Sequence, residues 1–378
     1  MKKLRGNVIF KMLDRYAGIP LVWLLGLMLV RSRQLPPDPV SILVIKLSAI
    51  GDTILLLPAL RSLRSRYPKA QITFLGTRIN KDIITNCSAV DRLIILNMGE
   101  LFRHPITAIG KVRSSRPDIA VDFDQWVRLT ALISLISGAP FRAGFRTTGQ
   151  YRHYLFNRSV CQDHTKHELD AFFDVLGLVD AGHDSRTLFF TIPVNAVREA
   201  EKVLDRLGID RDRGYVILHP ETPAHGGQRQ WPLERFRELG KRLAGRAQTS
   251  VLISGTRSEE SVKYALAQVI GPSALPLPPV SLTVFAALLR GARLLVCGNT
   301  GIMHLACAVN APVLALHGPT DPRKWGPRSE NAHVIAATLP CSPCLCLGFE
   351  YGCPENRCMS TISIDDVMEK AIKILRIH

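Results

Sequence analysis

The sequence lacks the features that mark many nucleic-acid-binding proteins. Aromatic residues make up only 7% of the chain, and no lysine- and arginine-rich run occurs. Such runs, interleaved with aromatic side chains, supply phosphate contacts and base stacking. The formal net charge is nevertheless +16, which implies an anionic partner. We therefore expect a phosphorylated substrate or a membrane surface as partner, and no nucleic acid.

The most apolar segment is too short for a bilayer-spanning helix, which needs ~20 apolar residues. YAGIPLVWLLGLMLV (16–30) has fifteen residues without a charge, and residues 1–33 hold seven Lys/Arg against one acid. A secretory signal starts similarly, but no small-x-small cleavage site follows. We expect a helix in the interface of an anionic membrane, with Trp23 and the leucines inserted among the lipids. The alternative is a helix packed on the protein's own surface.

The nine cysteines fall into two groups. Four are scattered and are interpreted as free thiols, which a reducing compartment allows. The other five lie within eighteen residues, at Cys341, Cys344, Cys346, Cys353 and Cys358. Cys341, Cys344, Cys353 and Cys358 could hold a structural zinc ion, and the alternatives are reduced thiols or a disulfide. We expect no cysteine to take part in catalysis.

Short β-branched segments alternate with amphipathic ones along most of the 378 residues, enough for two domains. This alternation predicts α/β domains with doubly wound parallel sheets. Strands are predicted at 41–47, 71–76, 92–97 and 118–123, and again at 214–220, 250–255, 292–299 and 312–318. We assign residues 1–39 to the N-terminal helix and its proline-rich linker, 40–195 to the first domain and 196–378 to the second.

Such sheets bind ligands beyond the carboxyl ends of their strands, and polar residues follow several predicted strands directly. Gly51 and Asp52 follow the strand at 41–47, where a helix begins. Asp52 is interpreted as a functional carboxylate or, more plainly, as a helix cap. No G-x-G-x-x-G motif is present, so dinucleotide binding of the dehydrogenase kind is not expected.

In the second half, His219 follows a strand, and Arg229 lies in a glycine-rich loop that could hold a diphosphate. Glu259 follows the next strand and could bind a ribose diol, or only stabilise a helix start. The turn GNTGIMH (298–304) lies between a strand and a helix, where free backbone N–H groups favour phosphate. Its alternative interpretation is a tight turn with a capping Asn299 and a core His304.

The motifs LSAIGDTILLLPALRSLRSRYP, HP…RQWPLERF and GNTGIMHLACAVNAPVLALHGPTDP, in this order, resemble those of glycosyltransferase family 9, the ADP-heptose:lipopolysaccharide heptosyltransferases. The resemblance covers about residues 40–376. It implies the GT-B fold, in which two Rossmann-like domains face a cleft, the first holding the acceptor and the second the nucleotide sugar. It also implies inverting transfer from ADP-heptose to the lipid A–linked core, without metal or cofactor, at the cytoplasmic face of the bacterial inner membrane.

The resemblance also assigns roles to individual residues. Asp52 matches the catalytic carboxylate, a general base that takes the proton of the acceptor hydroxyl. Arg229 stands where the family has a lysine that neutralises the leaving diphosphate. Donor binding is implied for His219, Glu259, Asn299, Thr300, Gly301 and His304, and acceptor binding for Gly51, Arg142 and Arg146, the two arginines lying in FRAGFR (141–146), which resembles a family loop facing the cleft.

Two residues depart from the family pattern and leave the donor open. Asn299 replaces the usual aspartate before Thr-Gly, and Glu221 replaces the usual glycine after His-Pro. One alternative is therefore a GT-B transferase that uses another nucleotide sugar. Another is a membrane-bound nucleotide-sugar or glycolipid-binding protein that has lost catalysis, although the presence of Asp52 and Arg229 argues against it.

Overall fold

The computed structural model describes residues 12, 14–28, 34–97, 99, 103–210, 212–220, 229–345 and 355–376. The chain forms two compact units that divide between Arg186 and Thr187. Each unit contains a six-stranded parallel sheet covered by helices. The predicted boundary at 195–196 lies inside a helix, Val194–Arg206, of the second unit.

The first unit has the strand order β3-β2-β1-β4-β5-β6. Buried aliphatic side chains of its strands pack against helices, as for Leu43 and Ile45 against Val112 and Ile133. Its strands are β1 (Ser41–Ile45), β2 (Gln71–Gly76), β3 (Arg92–Ile95), β4 (Ile119–Asp122), β5 (Phe141–Arg146) and β6 (Arg158–Cys161). Its helices are α1 (Gly18–Met28), α2 (Ile50–Arg66), α3 (Lys81–Ile84), α4 (Pro105–Arg113), α5 (Arg128–Ile136), a 3₁₀ helix (Arg152–Leu155) and α6 (Glu168–Gly177).

The second unit has the strand order β12-β11-β10-β7-β8-β9. Trp231 is buried edge-on against Phe236, with ring centroids 5.0 Å apart, and its indole N–H donates to the Ile362 carbonyl at 3.0 Å. Its strands are β7 (Tyr215–His219), β8 (Ser250–Ile253), β9 (Ala274–Pro276), β10 (Leu294–Gly298), β11 (Val313–His317) and β12 (Ala332–Ala336). Its helices are α7 (Val194–Arg206), α8 (Leu233–Ala247), a 3₁₀ helix (Arg257–Glu259), α9 (Glu260–Ile270), α10 (Leu282–Gly291), α11 (Gly301–Ala308), α12 (Pro322–Trp325), α13 (Arg357–Thr361) and α14 (Ile364–Leu375).

Both sheets have the strand order of a doubly wound fold, in which the connections reverse direction next to the first strand. The reversal lies between β1 and β4 in the first unit, and between β7 and β10 in the second. Ligands of such sheets bind at this switch point, beyond the carboxyl ends of the two strands. The predicted α/β class with two Rossmann-like domains is confirmed. The segment FRAGFR (141–146), predicted as a loop, is strand β5.

Helix α1 packs on the first unit with one side and exposes the other. Val22 is fully buried in a cluster with Ala131, Leu155 and Phe156. The opposite side is apolar as well, and its exposed large side chains are Leu21, Trp23, Leu24 and Leu27. Within the described part of the chain, every helix is too short or too polar to cross a membrane.

Candidate functional site

An ion pair between Lys46 and Asp52 lies at the switch point of the first sheet. Helix α2 begins after Ala49, and no side chain caps it, so the helix-cap interpretation of Asp52 does not apply. Asp52 lies in the first turn, and its Oδ2 is 3.0 Å from Lys46 Nζ. The Asp52 side chain is 26% exposed, whereas that of Lys46 is 3% exposed. A carboxylate thus stands at the ligand-binding edge with a buried ammonium behind it.

A second carboxylate, that of Asp124, contacts the same ammonium from the loop that follows β4, the strand next to β1. Asp124 Oδ1 is 2.9 Å from Lys46 Nζ, and its Oδ2 accepts a hydrogen bond from the Leu47 N–H at 2.8 Å. Burial lowers the pKa of Lys46, but the charges of Asp124, Asp52 and Glu168 outweigh it and raise the pKa above its usual value. The three carboxylates therefore favour the charged form of Lys46.

Sequence reasoning did not identify Asp124, nor the buried pair beneath it, Asp122 and Arg152. Arg152 is fully buried and donates to the Asp122 carboxylate, to the Asp124 carbonyl and to Thr130 Oγ1. Burial raises the pKa of Asp122, although the Arg152 charge opposes this. The pattern Asp-x-Asp at the end of β4, beside β1, is the signal that could have indicated this network.

The three predicted acceptor residues differ in their availability. Arg142 is buried, and its guanidinium donates to the carbonyls of Leu155 at 2.8 Å and Ala139 at 2.6 Å. These bonds tie strand β5 to its neighbourhood, so we leave Arg142 out of the proposed acceptor site. Arg146 is exposed at the carboxyl end of β5, and Gly51 is buried in the first turn of α2.

The donor residues predicted in the second half lie along the carboxyl edge of the second sheet. His219 ends β7 and pairs in register with Cys297 of β10. Its Nδ1 is 2.9 Å from Ser254 Oγ, at the end of β8. Burial lowers the pKa of His219 to about 4, against the charge of Glu259, so its ring is neutral at physiological pH.

Glu259 stabilises its own loop. Its Oε2 accepts hydrogen bonds from the Thr256 N–H at 2.7 Å and from Thr256 Oγ1 at 2.9 Å, which forms a capping box. The side chain is buried. The structure thus gives Glu259 the helix-start role that the sequence offered as its alternative, and ribose binding stays a prediction.

Arg229 and Asn299 are brought together at the end of β10. Arg229 Nη1 donates to the Asn299 carbonyl at 2.9 Å, and Asn299 Nδ2 donates to Thr320 Oγ1 at 2.9 Å. The backbone packs so closely here that a side chain at Gly298 would approach the Arg229 carbonyl to 3.1 Å. A guanidinium is therefore fixed beside the turn that was predicted to bind phosphate.

The turn itself ends in an uncapped helix start. Thr300 is the N-cap residue of α11 in extended conformation, and no side chain caps this helix. Thr300 and Gly301 are half-buried, whereas the side chain of His304, further along α11, is buried. N–H groups at such a helix start, together with the helix dipole, attract anions. Arg229 and the start of α11 thus form a positively polarised edge at the switch point.

Several predictions fall on residues outside the described part of the chain. Glu221 and the glycines of the loop before Arg229 belong to these residues, as do Cys346 and Cys353. Cys341 and Cys344 are exposed and Cys358 is buried. Among the described residues, no group of three or more His, Cys, Asp or Glu side chains is arranged to hold a metal ion. The zinc hypothesis, which needs Cys353, stays a prediction.

The chain is similar to curated heptosyltransferases. It is 25% identical to lipopolysaccharide heptosyltransferase 2 of Escherichia coli over 78% of this chain and 87% of the relative. It is 35% identical to lipopolysaccharide heptosyltransferase 1 of Pseudomonas aeruginosa, but over only 34% of this chain and 36% of that relative. The match to the P. aeruginosa protein thus spans about a third of that protein's length.

Structural similarity extends over most of the chain. The E. coli heptosyltransferase WaaC with ADP superposes with a TM-score of 0.66 at 21% identity, covering 88% of this chain and 99% of that one. This similarity confirms the GT-B fold class. The family model of glycosyltransferase family 9 (heptosyltransferase) matches residues 108–355, more than half of the chain. The chain therefore belongs to glycosyltransferase family 9 and is a glycosyltransferase.

Proposed function

We propose that this enzyme transfers heptose from ADP-heptose to a sugar hydroxyl of the lipopolysaccharide inner core, with inversion and without a metal ion. The observation that carries the proposal is the partly exposed Asp52 carboxylate, anchored by Lys46 at the switch point of the first sheet. Supporting it are the family, the names of the curated relatives, and the ADP named for the E. coli structure.

Asp52 would act as the general base. An acceptor hydroxyl has a pKa far above 7, so its proton must leave as the oxygen attacks the anomeric carbon. A single attack on the face opposite the diphosphate inverts the anomeric centre. Asp52 is suited to this step because its carboxylate is partly exposed while its position is fixed from behind. Gly51 and Arg146 are proposed to contact the acceptor.

The second unit would stabilise the leaving diphosphate. Its negative charge grows in the transition state, where preorganised cations and N–H donors are most effective. Arg229 and the start of α11, with Thr300 and Gly301, would supply them. Because the guanidinium bears a permanent charge and two-pronged geometry, it can serve where other glycosyltransferases use a metal ion. His219 and His304 are proposed to line the donor site.

A panel of nucleotide sugars tests this function. We expect purified enzyme to transfer from ADP-heptose to a de-acylated, Kdo- or heptose-terminated lipid A core, and to do so after EDTA treatment. The anomeric configuration of the product, determined by NMR, should be opposite to that of the donor. Turnover with a UDP- or GDP-sugar but not with ADP-heptose would favour the alternative transferase. Donor binding without turnover would favour the inactive binding protein.

We also propose that the exposed side of α1 binds the surface of an anionic membrane, at the cytoplasmic face of the inner membrane, where lipid-linked acceptors would be at hand. Trp23 and Leu27 are 53% and 65% exposed, although both are apolar. Residues 1–33 carry seven lysines and arginines against one acid, which suits anionic headgroups. An apolar helix side flanked by cations is typical of interfacial helices.

Replacing Trp23, Leu24 and Leu27 together by serine tests this proposal. We expect affinity for phosphatidylglycerol-containing vesicles to fall on the order of 100-fold, because each apolar side chain contributes about 1 kcal/mol or more when it leaves water. Cosedimentation with vesicles measures the loss. The matched control is serine at exposed Ile106 and Val194, which belong to other helices.

Folding must remain intact in this comparison, so Val22 is left in place. Deleting residues 1–33 instead would uncover Ala131, Leu155 and Phe156 and confound binding with stability. Unchanged vesicle affinity in a folded triple variant would contradict the membrane proposal.

A further inference from the structure

Lys46 lies between two carboxylates, those of Asp52 and Asp124, and contacts both. We infer that Lys46 and Asp124 are positioning residues for the transfer reaction. They hold Asp52 in place and balance the change of charge when it accepts the proton of the acceptor. This inference rests on the proposed function, since it assigns a reaction to Asp52.

The contacts fix the order of the three groups. Lys46 Nζ is 3.0 Å from Asp52 Oδ2 and 2.9 Å from Asp124 Oδ1. Asp124 is itself fixed, because its Oδ2 accepts from the Leu47 N–H at 2.8 Å and its own N–H donates to Asp122 Oδ1 at 3.0 Å. Lys46 and Asp124 are both nearly inaccessible, whereas Asp52 is partly exposed. We call Lys46, Asp52 and Asp124 the triad. Of these three groups, only Asp52, the outermost, can therefore contact a substrate.

The charges explain why a second carboxylate is needed. When Asp52 accepts a proton it becomes neutral, and Lys46 loses one of its two counter-charges. A buried ammonium without a counter-charge is strongly unfavourable. Asp124 remains in contact and keeps Lys46 compensated, so proton uptake at Asp52 does not strand a buried cation. The triad thus lets Asp52 change charge at small cost.

Other ionisable groups surround the triad and must be counted. Glu168, buried at the start of α6, acts on Lys46 through its charge. Asp122 and Arg152 form the adjoining buried pair beneath Asp124. The net charge of the groups around Lys46 is negative, which favours the ammonium whether or not Asp52 is protonated. The change of charge relevant to transfer is therefore the one at Asp52, at the exposed end of the triad.

Two isosteric variants should move the acidic limb of the kcat–pH profile in opposite directions. Lys46→Met removes the positive charge beside Asp52, so the limb should shift up by about one pH unit or more. Asp124→Asn leaves the Lys46 charge less compensated, so Asp52 stays ionised to lower pH and is a weaker base. The limb should shift down by a similar amount, with kcat about tenfold lower at its plateau.

The double variant Lys46→Met/Asp124→Asn should return the limb to within about half a unit of the wild type, because it removes one charge of each sign. The control is Asp118→Asn, at the opposite ends of the same two strands, where Asp118 accepts from the N–H groups of Val40 and Ser41. This control should leave the limb in place whatever it does to stability. Donor KM should be unchanged in all four variants.

The outcomes separate this inference from the proposed function. If the acidic limb of the kcat–pH profile does not move, or moves in the same direction in both single variants, the inference is overturned. Transfer by the wild type upholds the proposed function in that case. No transfer by the wild type from any nucleotide sugar overturns both. Should Lys46→Met fail to fold in thermal unfolding, the shift in Asp124→Asn decides alone, because asparagine keeps an acceptor for the Leu47 N–H.

Discussion

Asp52→Asn is expected to lower kcat for heptose transfer by about 10²–10⁴-fold, the usual contribution of a general base. The amide has nearly the shape of the carboxylate but cannot take the acceptor proton. Donor affinity should change by less than about twofold, because the proposed donor residues belong to the second unit. Transfer measured by release of ADP, and donor binding measured by calorimetry, give the two quantities.

The comparison needs a carboxylate that makes hydrogen bonds on the same sheet but has no chemical role. Asp118→Asn provides it, since Asp118, at the amino end of β4, accepts hydrogen bonds from backbone N–H groups at the amino end of β1, whereas Asp52 lies beyond the carboxyl end of β1. Transfer by Asp52→Asn at the wild-type rate would remove Asp52 as the base. A parallel loss in Asp118→Asn would show that the effect on Asp52→Asn is one of folding.

The second large effect is expected at Arg229. Arg229→Ala removes the cation beside the α11 turn, and kcat should fall by about 10²–10³-fold, as for other preorganised charges at a developing anion. Arg229→Lys should recover much of the loss, because it keeps the charge and matches the residue that the family resemblance implies. Arg229→Ala also loses the hydrogen bond to the Asn299 carbonyl, whereas lysine keeps a donor group.

Arg237, exposed on α8, is the control for the loss of one positive charge from the same region of the chain. Arg237→Ala should transfer at close to the wild-type rate. If Arg229→Ala raised donor KM alone and left kcat unchanged, Arg229 would bind the ground state and not the leaving group. Equal activity of Arg229→Ala and wild type would remove it from the site.

Much of the fold follows from local pattern. A β-branched run that meets a helical pattern of leucines at a short turn predicts strand β1 and helix α2, and it places Asp52 in the first turn of that helix, where the structure has it. The turn at Thr300 was found in the same way. The prediction of a loop at FRAGFR is wrong because two arginines make the segment look polar. In the strand that it forms, Arg142 is buried and donates to backbone carbonyls instead of facing solvent.

What the sequence could not show depends on distant pairing. Lys46 and Asp124 are far apart along the chain, and only the alignment of β1 beside β4 makes them neighbours. Similarly, the bond between Asn299 and Thr320 requires β10 and β11 to end at the same edge. Local patterns mark where a strand ends, but they do not say which strands are adjacent, and the partners of a site residue depend on that adjacency.

The guanidinium of Arg128 joins three separate parts of the first unit. It pairs with Asp14 at 2.6 Å and donates to the carbonyls of Gln150 and Gly149. Because Asp14 precedes α1 and Val22 completes the packing below it, this helix is seated only when the unit is folded. Lipid bound to the seated helix, as proposed above, would then be a ligand of the native state, and its binding free energy would add to that of folding. Vesicles should accordingly raise the melting temperature of the first unit, by an amount that grows with the logarithm of the lipid concentration.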